Sequence, residues 1–195
     1  MVYINASRAP QLSVEEMRAK GTYLLPRPRD LAPFALRQHN GAGFTNKDLQ
    51  GRWSFVFFGF TNCPDICPVA MSVLAKVQRT LGESGETALL EPFNVVLVSV
   101  DPDRDTEEAM GQYVTAFSPS FVGVTGSIED IAGLGAQLNV AFMKVPSKTS
   151  PDGYVVDHTG NIVIINPMGH YHGFIKLPHD PDDILLSYRS IAANF

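Results

Sequence analysis

Three patterns in the chain predict an α/β fold built in three layers. Two nearly continuous apolar runs, Trp53–Phe60 and Phe93–Val100, read as strands buried on both faces. Between them Val69, Val73, Leu74, Val77 and Leu81 recur at helical spacing over Pro68–Leu81, with Gly82 just past the end. Near the C-terminus, Ile162–Asn166 and Tyr171–Ile175 flank Pro167-Met168-Gly169 as a β-hairpin, and a helix over Asp180–Ala193 follows. The strand–helix–strand order implies a parallel pair with a right-handed crossover. A β-α-β half, a connection and a β-β-α half follow the thioredoxin order. The predicted fold is therefore a thioredoxin-like three-layer sandwich with a mixed central β-sheet and an N-terminal extension.

The other elements follow from local signals. Residues 1–30 read as a peripheral extension and 31–195 as the domain. Ser13-Val14-Glu15-Glu16 is a helix start, and Pro26, Pro28 and Pro33 impose an extended path beyond it. Leu31–Leu36 reads as a first strand, Gly41-Ala42-Gly43 as a hairpin turn, and Thr45–Leu49 leads to a turn at Gly51. Asp105 and Thr106 can cap a helix running to about Phe117. Phe121–Val124 is a short strand, and Ser127 and Asp130 open a helix through about Leu138. Val140–Val145 is a further strand, and residues 146–153 form a polar loop. No internal repeat or low-complexity region interrupts this pattern.

Composition narrows the function classes. A chain of 195 residues with 45% hydrophobic and 18% charged residues can build one ordinary core. The net charge of −5, with no basic cluster longer than Arg27-Pro28-Arg29, speaks against nucleic-acid binding. No apolar run approaches the length of a membrane span. Arg8, Glu15, Glu16, Arg18 and Lys20 do not read as a signal peptide. Two cysteines are too few for a disulfide scaffold.

Those two cysteines, Cys63 and Cys67, lie in Phe57-Phe58-Gly59-Phe60-Thr61-Asn62-Cys63-Pro64-Asp65-Ile66-Cys67-Pro68, where a buried strand gives way to a helix. In open α/β sheets ligands bind at that edge. Pro68 suits a first helical position, and the helix N-terminus beside Cys67 favours its thiolate. Two soft sulfurs at one junction point to metal binding or to disulfide chemistry. The C-x3-C spacing differs from the C-x2-C of common dithiol oxidoreductases, which is consistent with sulfurs held apart as ligands and does not forbid a disulfide. Inert core cysteines and a structural disulfide are the blander readings.

Two thiolates select a soft or borderline ion such as Cu(I) or Zn(II), and with no further cysteine an imidazole is the natural supplement. His158 is best placed, ahead of the last hairpin, with Asp157 able to orient the loop or the ring. His39 and His179, flanked by polar and loop residues, read as surface or satisfied polar residues. His170 and His172 alternate along a strand and share a face, a weaker candidate for a second metal site. The run Ser99-Val100-Asp101-Pro102-Asp103-Arg104-Asp105-Thr106 shares the sheet edge with the cysteines. It reads equally as a polar shell or docking surface around them and as a helix cap with an Asp–Arg pair.

Taken together, Phe58–Pro68, Val98–Thr106, Gly123-Val124-Thr125-Gly126 and Val156-Asp157-His158 resemble the Sco/SenC family of copper-binding proteins over roughly residues 30–190. The resemblance implies a thioredoxin fold and a role in assembling cytochrome c oxidase. Its members deliver copper to, or reduce the cysteines of, the dinuclear copper centre in subunit II. By this match Cys63, Cys67 and His158 are the copper ligands, a trigonal set that suits Cu(I) and to which Cu(II) would add a further oxygen or nitrogen donor. Asp65, Asp101 and Asp157 are read beside them as surrounding or docking residues. Implied partners are cytochrome c oxidase subunit II, other copper chaperones and a thioredoxin-like reductant, met by a monomer. The implied location is the periplasmic face of the inner membrane, or the mitochondrial intermembrane space in a eukaryote. The family is usually tethered there by an N-terminal helix, and the implied anchor is one not read within these 195 residues. Asn62 stands where family members often carry histidine, a difference that bears on docking rather than on the ligands.

Competing classes use the same residues. A thiol–disulfide oxidoreductase would cycle Cys63 and Cys67 with His158 as a neighbour, and a copper or redox sensor would read their state. A peroxiredoxin requires threonine three residues before its reactive cysteine, where this chain has Phe60 and Pro64.

Overall fold

The computed structural model describes residues 11–195. In chain order it forms α1 (Val14–Ala19), β1 (Thr22–Arg29), β2 (Ala35–Gln38), β3 (Gly43–Thr45), β4 (Trp53–Gly59), α2 (Ile66–Glu83), α3 (Thr87–Leu90), β5 (Phe93–Ser99), α4 (Glu107–Thr115), β6 (Val122–Thr125), α5 (Ile128–Gln137), β7 (Phe142–Pro146), β8 (Tyr154–His158), β9 (Ile162–Ile165), β10 (Tyr171–Ile175) and α6 (Pro181–Ala193). Eight strands make one mixed sheet in the order β1-β10-β9-β4-β5-β6-β2-β3, and β7 and β8 form a separate hairpin. The fold is thioredoxin-like, as the strand and helix order predicts.

The parallel strands β4, β5 and β6 lie at the centre, and β9 joins β4 antiparallel, with Phe57 opposite Ile162. Every residue of β4 and β5 is buried, which requires cover on both faces and hence three layers. On the buried face of α2, Cys67, Ala70, Met71, Leu74, Val77 and Leu81 follow helical spacing. The helix packs beside α6, and the Tyr188 hydroxyl of α6 donates to the Leu89 carbonyl at 2.7 Å. No helix among the described residues is long and apolar enough to cross a membrane.

Several elements differ from their sequence expectation. The first ten residues of the predicted extension lie outside the described residues. The capped helix at Ser13 forms, with a full Ser13–Glu16 capping box. The extended, proline-containing segment after it is β1, which pairs antiparallel with β10 and enlarges the sheet. Pro26 and Pro28 are tolerated because β1 is an edge strand. The strand expected over Leu31–Leu36 forms later, at Ala35–Gln38, where β2 can pair with β3 and β6. α2 begins at Ile66 with Asp65 as its N-cap, so Pro68 occupies the third helical position, still within the turn whose N–H groups lack partners. Thr106, not Asp105, caps α4, its hydroxyl accepting from Ala109 N–H at 3.1 Å.

The five histidines sort differently from their flanking sequence. His39 is a satisfied polar residue, with Nδ1 accepting from Gly123 N–H at 3.0 Å. His170 faces Asp30 at 3.2 Å, and the His172 ring packs edge-on against Trp53. His179, expected to be either at the surface or a satisfied polar residue, is neither: it is only 8% exposed and neither ring nitrogen has a hydrogen-bond partner. Burial pushes its pKa below the ordinary value, and the polar backbone at Ile175 and Gly160 offsets this only in part. Above pH 6.5 the ring is neutral in the folded and the unfolded chain alike and adds no pH dependence. Below it the unfolded chain takes up a proton that the folded chain refuses, so stability falls as pH falls. Urea unfolding at pH 7.0, 6.0 and 5.0 should show this fall, and His179→Leu should flatten it by up to about 1.4 kcal/mol per pH unit.

Candidate metal centre

The site is built where β4 and β5 end side by side. Gly59 lies opposite Ser99 in the last parallel pair, and Val100 N–H then donates to the Gly59 carbonyl at 2.8 Å. The chain leaves β4 through Phe60 and Thr61 and turns back, with Cys63 N–H donating to the Phe60 carbonyl at 3.2 Å. Cys63 is half-buried on this turn, and Cys67, second residue of α2, is fully buried beneath it. Both are free thiols.

The absence of a side chain at position 59 makes room for Cys67. A Cβ there would lie 2.8 Å from Cys67 Sγ and 3.2 Å from both Leu97 and Phe57. The sulfur thus sits directly over the end of β4.

His158 arrives from the other hairpin. It is the last residue of β8, paired with Phe142 of β7, rather than part of a loop. Its Nδ1 lies 3.1 Å from the Thr159 carbonyl, which can only accept. That assigns the ring proton to Nδ1 and leaves the Nε2 lone pair facing Cys67 Sγ at 3.6 Å. The rings of Phe57 and Phe60 meet the imidazole edge-on at 5.8 and 5.9 Å. The ring is therefore oriented by the Thr159 carbonyl, while Asp157 is exposed and alternates away from His158 along β8.

The two sulfurs and Nε2 all lie within 4.8 Å of one another, the one such three-donor cluster among the described residues. Donors about 2.0–2.3 Å from a shared ion are separated by at most about 4.6 Å, so small side-chain rotations suffice to close on one. The histidines at 170 and 172 do not join any such group.

The two thiols are unequal. The neighbouring Cys67 side chain, more than the contact with His158, holds the Cys63 pKa down at about 4 against the cost of burial. The neighbouring Cys63 side chain and its own burial push Cys67 far above the ordinary thiol range. Negative charge is thus favoured on the more exposed Cys63 and disfavoured on the buried Cys67.

A second tier of polar residues ties the loops together. Asp105 is buried and accepts from the Thr61 hydroxyl at 2.6 Å, from Thr61 N–H, and from the Ser99 hydroxyl at 2.7 Å. Asp101 is also fully buried and accepts from Tyr154 and Arg104. Asp65 is exposed, and as N-cap makes no side-chain bond to the helix. The Asp–Arg pair expected in the acidic run forms between Asp101 and Arg104, whereas Gly59, Thr61 and Tyr154 were not singled out as site residues and take their roles from contacts distant in sequence. Tyr113 joins them, its hydroxyl buried without a partner and its pKa raised by burial, then by Cys67, Cys63 and Asp105.

Fold and site together define a thioredoxin-like domain carrying two thiols and an imidazole at the C-terminal end of its central strands. The SCO1/SenC family pattern matches residues 26–193, and the chain belongs to that family. It is 36% identical over 171 residues to the mouse protein "Protein SCO1 homolog, mitochondrial", covering 88% of this chain and 57% of that protein. It is 36% identical over 156 residues to the "Putative copper-binding protein" of Stutzerimonas stutzeri, covering 80% of this chain and 73% of that one. The solved structure of Arabidopsis thaliana ScoI with copper bound superposes with a TM-score of 0.77 at 32% identity, covering 84% of this chain and 98% of that one.

Two outcomes test the geometry. Thiolate absorbance at 240 nm should titrate near pH 4 in the wild type, and Cys67→Ala, which removes the neighbouring thiol, should return Cys63 toward the ordinary thiol range. Gly59→Ala should displace the Cys67 sulfur and weaken binding of a thiophilic ion such as Cd(II) by about tenfold or more, measured by competition with a chromophoric chelator.

Proposed function

We propose that this chain binds one copper ion through Cys63, Cys67 and His158 and acts as a metallochaperone in assembling the dinuclear copper centre of cytochrome c oxidase subunit II. The observation that carries the reading is the convergence of two thiols and one Nε2 lone pair within 4.8 Å on a thioredoxin-like frame. Two sulfurs and an imidazole suit Cu(I), and Cu(II) draws more on the nitrogen donor. Family membership and the copper-bound ScoI structure support the choice of metal. Copper here is cargo, and no turnover chemistry is assigned.

The exposed carboxylates of Asp65, between the two cysteines in the chain, and Asp157, next to His158, are proposed to meet the docking partner. The chain is taken to act as a monomer at the membrane face of the periplasm, or of the mitochondrial intermembrane space, as the mitochondrial name of the mouse relative suggests. Other copper chaperones and a thioredoxin-like reductant are the expected upstream partners.

A second reading is favoured by the unequal thiols. A half-exposed thiolate with a buried protonated partner is the arrangement for disulfide exchange. Cys63 would attack a disulfide of the partner, forming a mixed disulfide and releasing one partner thiolate. Cys67 would then lose its proton and displace the second, leaving the partner reduced and Cys63–Cys67 oxidised.

Anaerobic titration of the reduced protein with Cu(I) against a competing chelator tests the first reading. One tight equivalent is expected, abolished by Cys63→Ser or Cys67→Ser and weakened about 10–100-fold by His158→Ala. Wild-type affinity in the serine variants would sink the assignment. Absence of tight copper together with rapid reduction of a subunit II disulfide would establish the second reading instead.

A further inference from the structure

The hairpin that delivers His158 has no backbone ladder to the eight-stranded sheet. Something else must fix where the imidazole lies. Along β8, Tyr154, Val156 and His158 alternate onto one face, and Val156 is buried at 6% exposure. Tyr154, at the far end of that face, is held from every side. Its hydroxyl donates to Asp101 Oδ1 at 2.9 Å. The other oxygen of Asp101 accepts from Arg104 Nε at 2.5 Å. The Arg104 guanidinium lies 4.2 Å from the Tyr154 ring centroid, and its Nη1 donates at 2.8 Å to Asp152, just before β8. Lys144 of β7 sits 4.7 Å from the same ring and pairs with Asp103 at 2.5 Å.

This grip is rooted in the loop that carries the cysteines. Asp101 N–H donates to the Ser99 hydroxyl at 3.0 Å, and Ser99 donates to Asp105 at 2.7 Å. Asp105 in turn holds Thr61, two residues before Cys63. A continuous chain of hydrogen bonds thus runs from the cysteine turn to the start of the strand that ends in His158. The buried carboxylate at 101 makes the contact specific, because losing a donor leaves it underbonded in a site water does not reach.

We propose that Tyr154, clamped by Asp101 and Arg104, is the positioning residue that sets the reach of His158 to the two sulfurs, and so decides whether a bound ion finds two donors or three. This rests on the copper reading above for the identity of the ion but not for the clamp itself. With the clamp released, the two thiolates stay in place on β4 and α2 while the hairpin swings. Cu(I) is well served by two thiolates alone, whereas Cu(II) loses its only nitrogen donor. The clamp therefore discriminates between the oxidation states of the cargo.

Tyr154→Phe removes the hydroxyl and keeps the ring between Arg104 and Lys144. Arg104→Met is the independent second variant. In the metal-free protein, amide hydrogen exchange over β7 and β8 should speed up by about tenfold in both, with β4 and α2 unchanged. Cu(II) affinity should fall by about 10–100-fold with loss of the imidazole nitrogen splitting in the electron paramagnetic resonance spectrum, while Cu(I) affinity stays within about threefold. Wild-type hairpin exchange in both variants, or an unchanged nitrogen splitting with unchanged Cu(II) affinity, overturns the proposal. If the wild type takes up no copper, the copper reading fails on its own, and the exchange comparison in the metal-free protein still decides the clamp.

Discussion

The site hangs from the parallel pairing of β4 with β5. Both strands are buried along their whole length, in register from Trp53 opposite Phe93 to Gly59 opposite Ser99. A slip of one residue would turn every one of those side chains to the wrong layer, so the register is fixed by the core rather than by the site. Because the strands are parallel, their C-terminal ends lie together, and the two loops that leave them begin as neighbours. Asp105 then welds the loops. Its carboxylate is buried, and burial raises its pKa; three donors from Thr61 and Ser99 offset that cost in part. Core packing is thereby converted into a fixed separation between a cysteine turn and an acidic loop.

The parts of this arrangement that were legible in the sequence are those whose signal is local. Continuous apolar runs announced β4 and β5, helical spacing announced α2, and the isolation of Cys63 and Cys67 at their junction marked the site. His158 was legible as a donor but not as the end of a strand. The Tyr154–His158 segment buries only Val156 fully and sits among polar residues, so neither alternation nor apolar content marks it. Its strand exists because β7 pairs with it, a tertiary fact. Asp105 carries an ordinary capping signature beside Thr106, and only a partner 44 residues away reveals its other role. His179 lies among proline and aspartate residues that suggest exposure, yet the fold covers it. The helix terminus suggested a thiolate at Cys67, whereas the neighbouring Cys63 and burial push that thiol up, a contrast no local signal carries.

That asymmetry explains how one pair of sulfurs can serve two chemistries. A metal ligand and an attacking nucleophile need the same species, a thiolate, and the pair supplies one at Cys63 over most of the physiological pH range. The proton on Cys67 can be displaced by a metal ion and lost to solvent, or pass to the thiolate that leaves the partner. Neither the sulfurs nor their separation distinguishes the two uses.

The imidazole does distinguish them. Disulfide exchange moves electrons among sulfur atoms, and an imidazole helps it only by accepting or donating a proton. For that task either ring nitrogen would serve and the ring could stay mobile. Here Nδ1–H is committed to the Thr159 carbonyl, the ring is packed against Phe57 and Phe60, and the strand bearing it is tied through Tyr154 to the cysteine loop. A lone pair fixed in tautomer, direction and distance is what a ligand needs, and a proton relay gains little from such restraint. Such restraint across two loops and a hairpin fits the metal-carriage reading proposed above better than a proton relay, while the thiolate still permits sulfur redox chemistry.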